Sequence, residues 1–92
     1  MKVEQYYSKN QFHLYGIGID MLQSYNSLVV KINNNGTITL GEYWNYSNTT
    51  AKYVYMFLEE YGNINFGEHQ NKGIYIQSLI DNGTIKYDED MR

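Results

Sequence analysis

The run Asn33-Asn34-Asn35-Gly36, set between two segments of alternating β-formers, constrains the chain more than any other feature. Asn and Gly tolerate positive φ, which tight hairpin turns demand. Upstream, over Tyr25 to Ile32, Leu28, Val30 and Ile32 alternate with Val29 and Lys31, and β-branched residues dominate. Downstream, Thr37 to Trp44 returns with Ile38 and Leu40 facing inward and Thr37 and Thr39 facing outward. This pattern predicts a central hairpin over 25–44.

The chemistry then changes from strand to helix. Ser47 or Asn48 can accept a hydrogen bond from the orphan amides of a first helical turn. Ala51, Val54, Phe57, Leu58 and Tyr61 follow at spacings that fall on one helical face. Gly62 is placed to end that helix at its C′ position. A second helix is expected over 70–82, with Ile76, Leu79 and Ile80 as its stripe and Gly83 as its stop. The alternation of Ile74 and Ile76 leaves a strand over 73–79 as the other reading.

Before the hairpin, Phe12 to Ile19 reads as a strand. Phe12 and Leu14 share one face, and His13, Tyr15 and Ile17 the other. Gly16 and Gly18 suggest a bulge or a close backbone approach. The first ten residues are polar and read as partly loose. Thr84 to Tyr87 reads as a short closing strand, Asn63 to Gly67 as a loop with Phe66 tucked inward, and 88–92 as a solvated tail. The fold class is α+β: one domain over 1–92, with a small antiparallel sheet and two helices (48–61 and 70–82) packed on one face.

Composition narrows the possible functions. Ninety-two residues make one domain. The aliphatic supply is thin and there are eleven tyrosines, so tyrosine rings must complete the core with most hydroxyls reaching water. There is no cysteine, hence no disulfide, zinc thiolate or thiol chemistry. The two histidines, His13 and His69, lack companions at metal-ligand spacing, and His69 reads as a surface pair with Glu68. Net charge is −3 and the basic residues are scattered singly, unlike a nucleic-acid groove, which needs clustered cations. Met1 to Asn10 lacks the apolar core of a secretion signal, and no run approaches the roughly 18 apolar residues of a membrane span, so a cytoplasmic protein is expected.

No catalytic constellation assembles. The carboxylates Glu42, Glu59 and Glu60 fall at predicted surface positions, and helix capping accounts for Ser47 without nucleophilic chemistry. What remains is surface recognition. Tyr, Trp and Met concentrate at the energetic centres of protein interfaces. Tyr43, Trp44, Tyr46, Tyr53 and Met56 are the expected contact residues, with Glu59 and Glu60 at a charged rim. The bland alternative is that Trp44 and one or two of the tyrosines simply roof the core. The free amides at the start of the first helix, over 47–50, offer a second candidate site, for a small ligand or nucleotide. A self-complementary aromatic patch would make the chain a subunit of a homo-oligomer.

The segments Ser24-Tyr25-Asn26-Ser27-Leu28-Val29-Val30 and Trp44-Asn45-Tyr46-Ser47-Asn48-Thr49-Thr50-Ala51-Lys52-Tyr53 resemble a recurring pattern. It is an S-Y-N-[ST] strand followed by W-x-Y-S-x-T-T-x-K-[HY] at the head of a helix ending in Phe-Leu, here Phe57-Leu58. It is found in small proteins of unknown function from Gram-positive bacteria, their phages and mobile elements. The resemblance covers about Ser24 to Leu58. This chain has Tyr53 where His is commoner, so the resemblance implies no acid–base role for that ring. It implies a setting in which small single-domain proteins bind host machinery stoichiometrically, as anti-CRISPR inhibitors do. The expectation is a non-enzymatic inhibitor of a host or defence protein, without cofactor or metal.

Overall fold

The computed structural model describes residues 1–92. Its strands are β1 (Lys2–Tyr6), β2 (Ser8–Gly16), β3 (Ile19–Ser24), β4 (Ser27–Asn33), β5 (Ile38–Gly41) and β6 (Lys86–Asp88). Two helices, α1 (Asn48–Tyr61) and α2 (Lys72–Asp81), intervene between β5 and β6. The strands form one sheet in the order β1-β2-β3-β4-β5-β6. The first five make an antiparallel meander, and β6 adds parallel to β5.

The hairpin is present, with β4 and β5 as its arms and Val30 opposite Leu40, Ile32 opposite Ile38. The return arm is shorter than its sequence pattern predicts. It stops at Gly41, and turns occupy 42–45. Gly41 is buried, and a Cβ there would collide with the backbone carbonyls of Leu28 and Met91. The chain therefore leaves the sheet where the C-terminal segment crosses it, and the Glu42 amide donates to Met91 O at 3.0 Å. The last residues are exposed as expected, Met91 alone being half-buried, but they are tethered to the sheet rather than free. They bound a groove of about 450 Å³ with Ile19, Met21 and Leu28 on the open sheet face.

The N-terminal third departs most from expectation. The polar opening residues form β1 and the start of β2, and residues 17–18 turn the chain into a third strand, β3. Alternation along β2 holds, but the face toward the helices carries Gln11 and His13, both buried, while Phe12 and Leu14 lie half-buried on the other face. His13 Nε2 lies 2.8 Å from the Asp20 carboxylate across the β2–β3 turn. A buried imidazole with a cross-strand partner is legible only once β3 is known.

α1 supplies Thr50, Val54, Phe57 and Leu58 to the core and packs on β3 and β4. The helix ends at Tyr61, as expected, but the left-handed residue is Asn63 (φ 57) rather than Gly62 (φ −100). Gly62 is needed for space instead: a Cβ would sit 2.9 Å from Leu58 O and 3.2 Å from Ile38 Cδ1. Residues 73–79 are helical. The Asn71 side chain caps α2 by accepting from the Ile74 amide at 3.0 Å, and Ile76 is fully buried. Leu79 and Ile80 pack against the core beside it. No helix is long and apolar enough to cross a membrane.

Tyrosine completes this core. Tyr6 is buried, its ring edge-on to Phe57 at 5.3 Å, and its hydroxyl donates to Glu60 Oε1 at 2.8 Å. Burial, then the hydrogen bond to Glu60, holds its pKa far above the ordinary tyrosine value. The Tyr87 hydroxyl is pushed up to about 12, chiefly by its bond to Glu42. A hydrogen bond to Glu4 raises Tyr15 likewise. These groups stay neutral in the folded state at pH values where unfolded tyrosine ionises, near 10. Their stabilisation is therefore complete below about pH 10 and is lost as pH rises through the folded values. We expect a thermal midpoint that is flat on the alkaline side of neutrality and falls above about pH 10. Tyr6→Phe should lower stability by roughly 1 kcal/mol at neutral pH and make the alkaline fall shallower. Calorimetry across the pH series reads both effects.

Candidate functional site

Two separated segments meet at the head of α1. The turn from β3 to β4 brings Ser24, Tyr25, Asn26 and Ser27 against Tyr43, Tyr46, Ser47, Thr49 and Thr50, and Val29 lines the space between them. The groove so formed has a volume of about 640 Å³, within the usual range of ligand sites. Its lining is tyrosine, serine, threonine and asparagine around one valine, without a formal charge.

The floor is built by hydroxyls. Ser47 is the N-cap, with extended backbone (φ −144, ψ 167), and its Oγ accepts from the Thr50 amide at 3.1 Å. The Thr50 side chain is buried, and its Oγ1 lies 3.0 Å from Ser24 Oγ. The contact joins the first turn of α1 to the end of β3. It explains a threonine at a position where helix propensity favours other residues. Across the sheet, Gln11 pairs with Ser24 and is itself buried, with its Oε1 unpartnered within the protein.

The rim is built by rings. Tyr25 occupies the left-handed region (φ 56), unusual for a bulky side chain. Its amide donates to Asn10 O at 2.7 Å and its carbonyl accepts from Gln23 Nε2 at 2.8 Å, which hold the turn in place. Tyr43 and Tyr46 meet edge to face, centroids 5.7 Å apart. Tyr46 is 77 %, Tyr25 49 % and Tyr43 36 % exposed.

The expected contact patch is thus divided. Tyr43 and Tyr46 lie at the groove. Trp44, only 4 % exposed, belongs to the core and offers no surface, so its inclusion in the patch is corrected. Trp44 falls in step with the inward Ile38 and Leu40, and it stays inward between its exposed neighbours Tyr43 and Asn45 although the strand has already ended at Gly41. Tyr53 and Met56 are half-buried against the core, and the Tyr53 ring lies 6.5 Å from Tyr6. Glu59 and Glu60 are exposed, and Glu60 is engaged by Tyr6. Tyr25, omitted from that patch, is the third exposed ring of the groove. Its position beside Asn26 in the S-Y-N-[ST] segment was the available signal. His69 does not pair with Glu68 but stacks on Tyr75, centroids 4.0 Å apart.

A family model described as a family of unknown function (DUF8033) matches residues 1–78. The chain belongs to DUF8033. The match spans β1 to most of α2 and contains every residue that lines the groove. No curated protein and no solved structure matches this DUF8033 chain.

Thr50→Val should leave the buried Ser24 hydroxyl without its partner and destabilise this DUF8033 chain by about 1–3 kcal/mol. Ser24→Ala with Thr50→Val should cost less than the sum of the two single changes, because both delete one contact. Urea unfolding of the four proteins completes the cycle. Strict additivity would show that the hydroxyl pair does not join the two segments.

Proposed function

We propose that this protein acts by stoichiometric binding to another protein, through the groove and its tyrosine rim at the head of α1. The observation that carries the reading is the chemistry of the lining. Tyrosine supplies large, stiff, amphipathic contact area at small entropic cost, while serine, threonine and asparagine supply adaptable hydrogen bonds. Tyr25, Tyr43, Tyr46, Asn26 and Ser27 combine these properties on one side of the molecule. The resemblance to small phage and mobile-element proteins extends the proposal to an inhibitor of a host or defence protein in the bacterial cytoplasm. On this reading the rings at Tyr43 and Tyr46 are its anchors, and Tyr53, Met56, Glu59 and Glu60 lie outside the contact.

Binding of a small neutral ligand in the same groove is the second reading, favoured by the groove's volume. A nucleotide fits less well. Ser47 already takes the Thr50 amide, and no lysine or arginine lines the groove to meet a phosphate.

A photo-reactive phenylalanine analogue at Tyr46 tests the proposal in the native host. It should give a discrete crosslinked protein, absent when the analogue replaces Ile74 on the exposed side of α2. Tyr43→Ala should weaken binding of that protein by at least about tenfold, the scale of an interface anchor. A crosslink insensitive to Tyr43→Ala, or none at Tyr46, would refute the assignment of the contact surface. A thermal shift with neutral metabolites and no crosslink would favour the second reading.

A further inference from the structure

We propose that β1 is a homodimerisation edge, pairing antiparallel with β1 of a second copy about a two-fold axis at Val3. β1 is the outer strand of the sheet, and its only neighbour is β2. Its outward backbone groups are free, as in any edge strand, and offer a template for another strand. Lys2, Val3, Glu4 and Gln5 are all exposed. The irregularity in its pairing begins only at Gln5/Tyr6, so residues 2–4 keep regular register.

The choice of partner follows from charge. Lys2 and Glu4 stand one residue either side of Val3. In an antiparallel pair centred on Val3, each Lys2 faces Glu4 of the other copy, and both contacts join opposite charges. Edges that are protected by charge repel a second copy when the charges are alike; here they are self-complementary, as an isologous contact requires. Lys2 makes no ion pair within the chain, and Glu4 is engaged through Oε1 alone, by the Tyr15 hydroxyl at 2.5 Å.

The opposite face of the strand agrees. Val3 is 60 % exposed, beside Leu14, and Leu14 is beside Met21. This row lies on the sheet face away from the helices and belongs to no part of the core. Pairing at Val3 would join two such rows into one apolar stripe across both sheets. The inference is independent of the groove, which is built on the β3–β4 turn and the head of α1 and contains no residue of β1.

Sedimentation equilibrium over a concentration series tests it, with far-UV circular dichroism to verify folding. The wild-type chain should dimerise. K2E and E4K should each raise the dimer dissociation constant by about tenfold or more, since each places like charges at both contacts. The combined exchange K2E/E4K restores opposite charges and should restore the dimer. A wild-type monomer at every concentration, a dimer indifferent to the single reversals, or a double exchange that fails to recover would each overturn the proposal.

Discussion

The seating of α1 on the meander through Phe57 governs the rest of the molecule. Phe57 is fully buried, and the rings of Tyr6, His13 and Tyr61 surround it at centroid distances of 4.8–5.3 Å. Aromatic pairs at such distances add specific geometry to their burial. Tyr6 fixes the edge of the sheet, His13 its second strand, and Tyr61 the last turn of the helix. These contacts oppose rolling and sliding of α1, whose first turn meets the end of β3 through Thr50 and Ser24. The Ser24–Thr50 contact and the groove follow from that placement.

How much of this could be read from residue pattern alone depends on the range of the signal. The hairpin, α1 and α2 were legible because turn chemistry and periodicity are local. The Ser47 cap was legible for the same reason. β1 and β3 were hidden because their residues do not alternate cleanly: the polar Lys2–Gln5 segment lies on an edge, and β3 carries Asp20, Gln23 and Ser24. Edge strands and strands with polar inward positions carry little hydrophobic signal. The early end of β5 was hidden too, because it follows from the crowding of Gly41 by a segment fifty residues later in the chain, whereas the buried Trp44 falls in step with Ile38 and Leu40. The candidate site was half legible. Tyr43, Tyr46 and Ser47 were singled out by type, but their union with Ser24 to Ser27 is a tertiary fact.

The segments Ser24 to Val29 and Tyr43 to Thr50 converge on one groove, and the tyrosines divide between two tasks. Tyr6 and Tyr61 serve the seat of α1. Tyr25, Tyr43 and Tyr46 project at the groove, and their rings leave the core closed without them. Membership of DUF8033 brings no activity to compare with this division. The physical argument for recognition therefore rests on side chains whose placement folding does not require.

Tyr25 states that argument most sharply. Three non-glycine residues have positive φ: Tyr7, Tyr25 and Asn63. Asn tolerates the conformation, and the ring of Tyr7 packs on Tyr6 with centroids 4.8 Å apart, which offsets its strain. Tyr25 has no ring partner and lines the groove, so the fold gains little in return for its backbone. The decisive measurement is the stability of Tyr25→Gly. Relief of the left-handed strain, less the added freedom of glycine in the unfolded chain, should stabilise the protein by about 0.5–1 kcal/mol, a rise of a few degrees in the midpoint. A lower midpoint would mean that the Tyr25 ring supports the fold, and the claim that the groove's rings are held for recognition would fail.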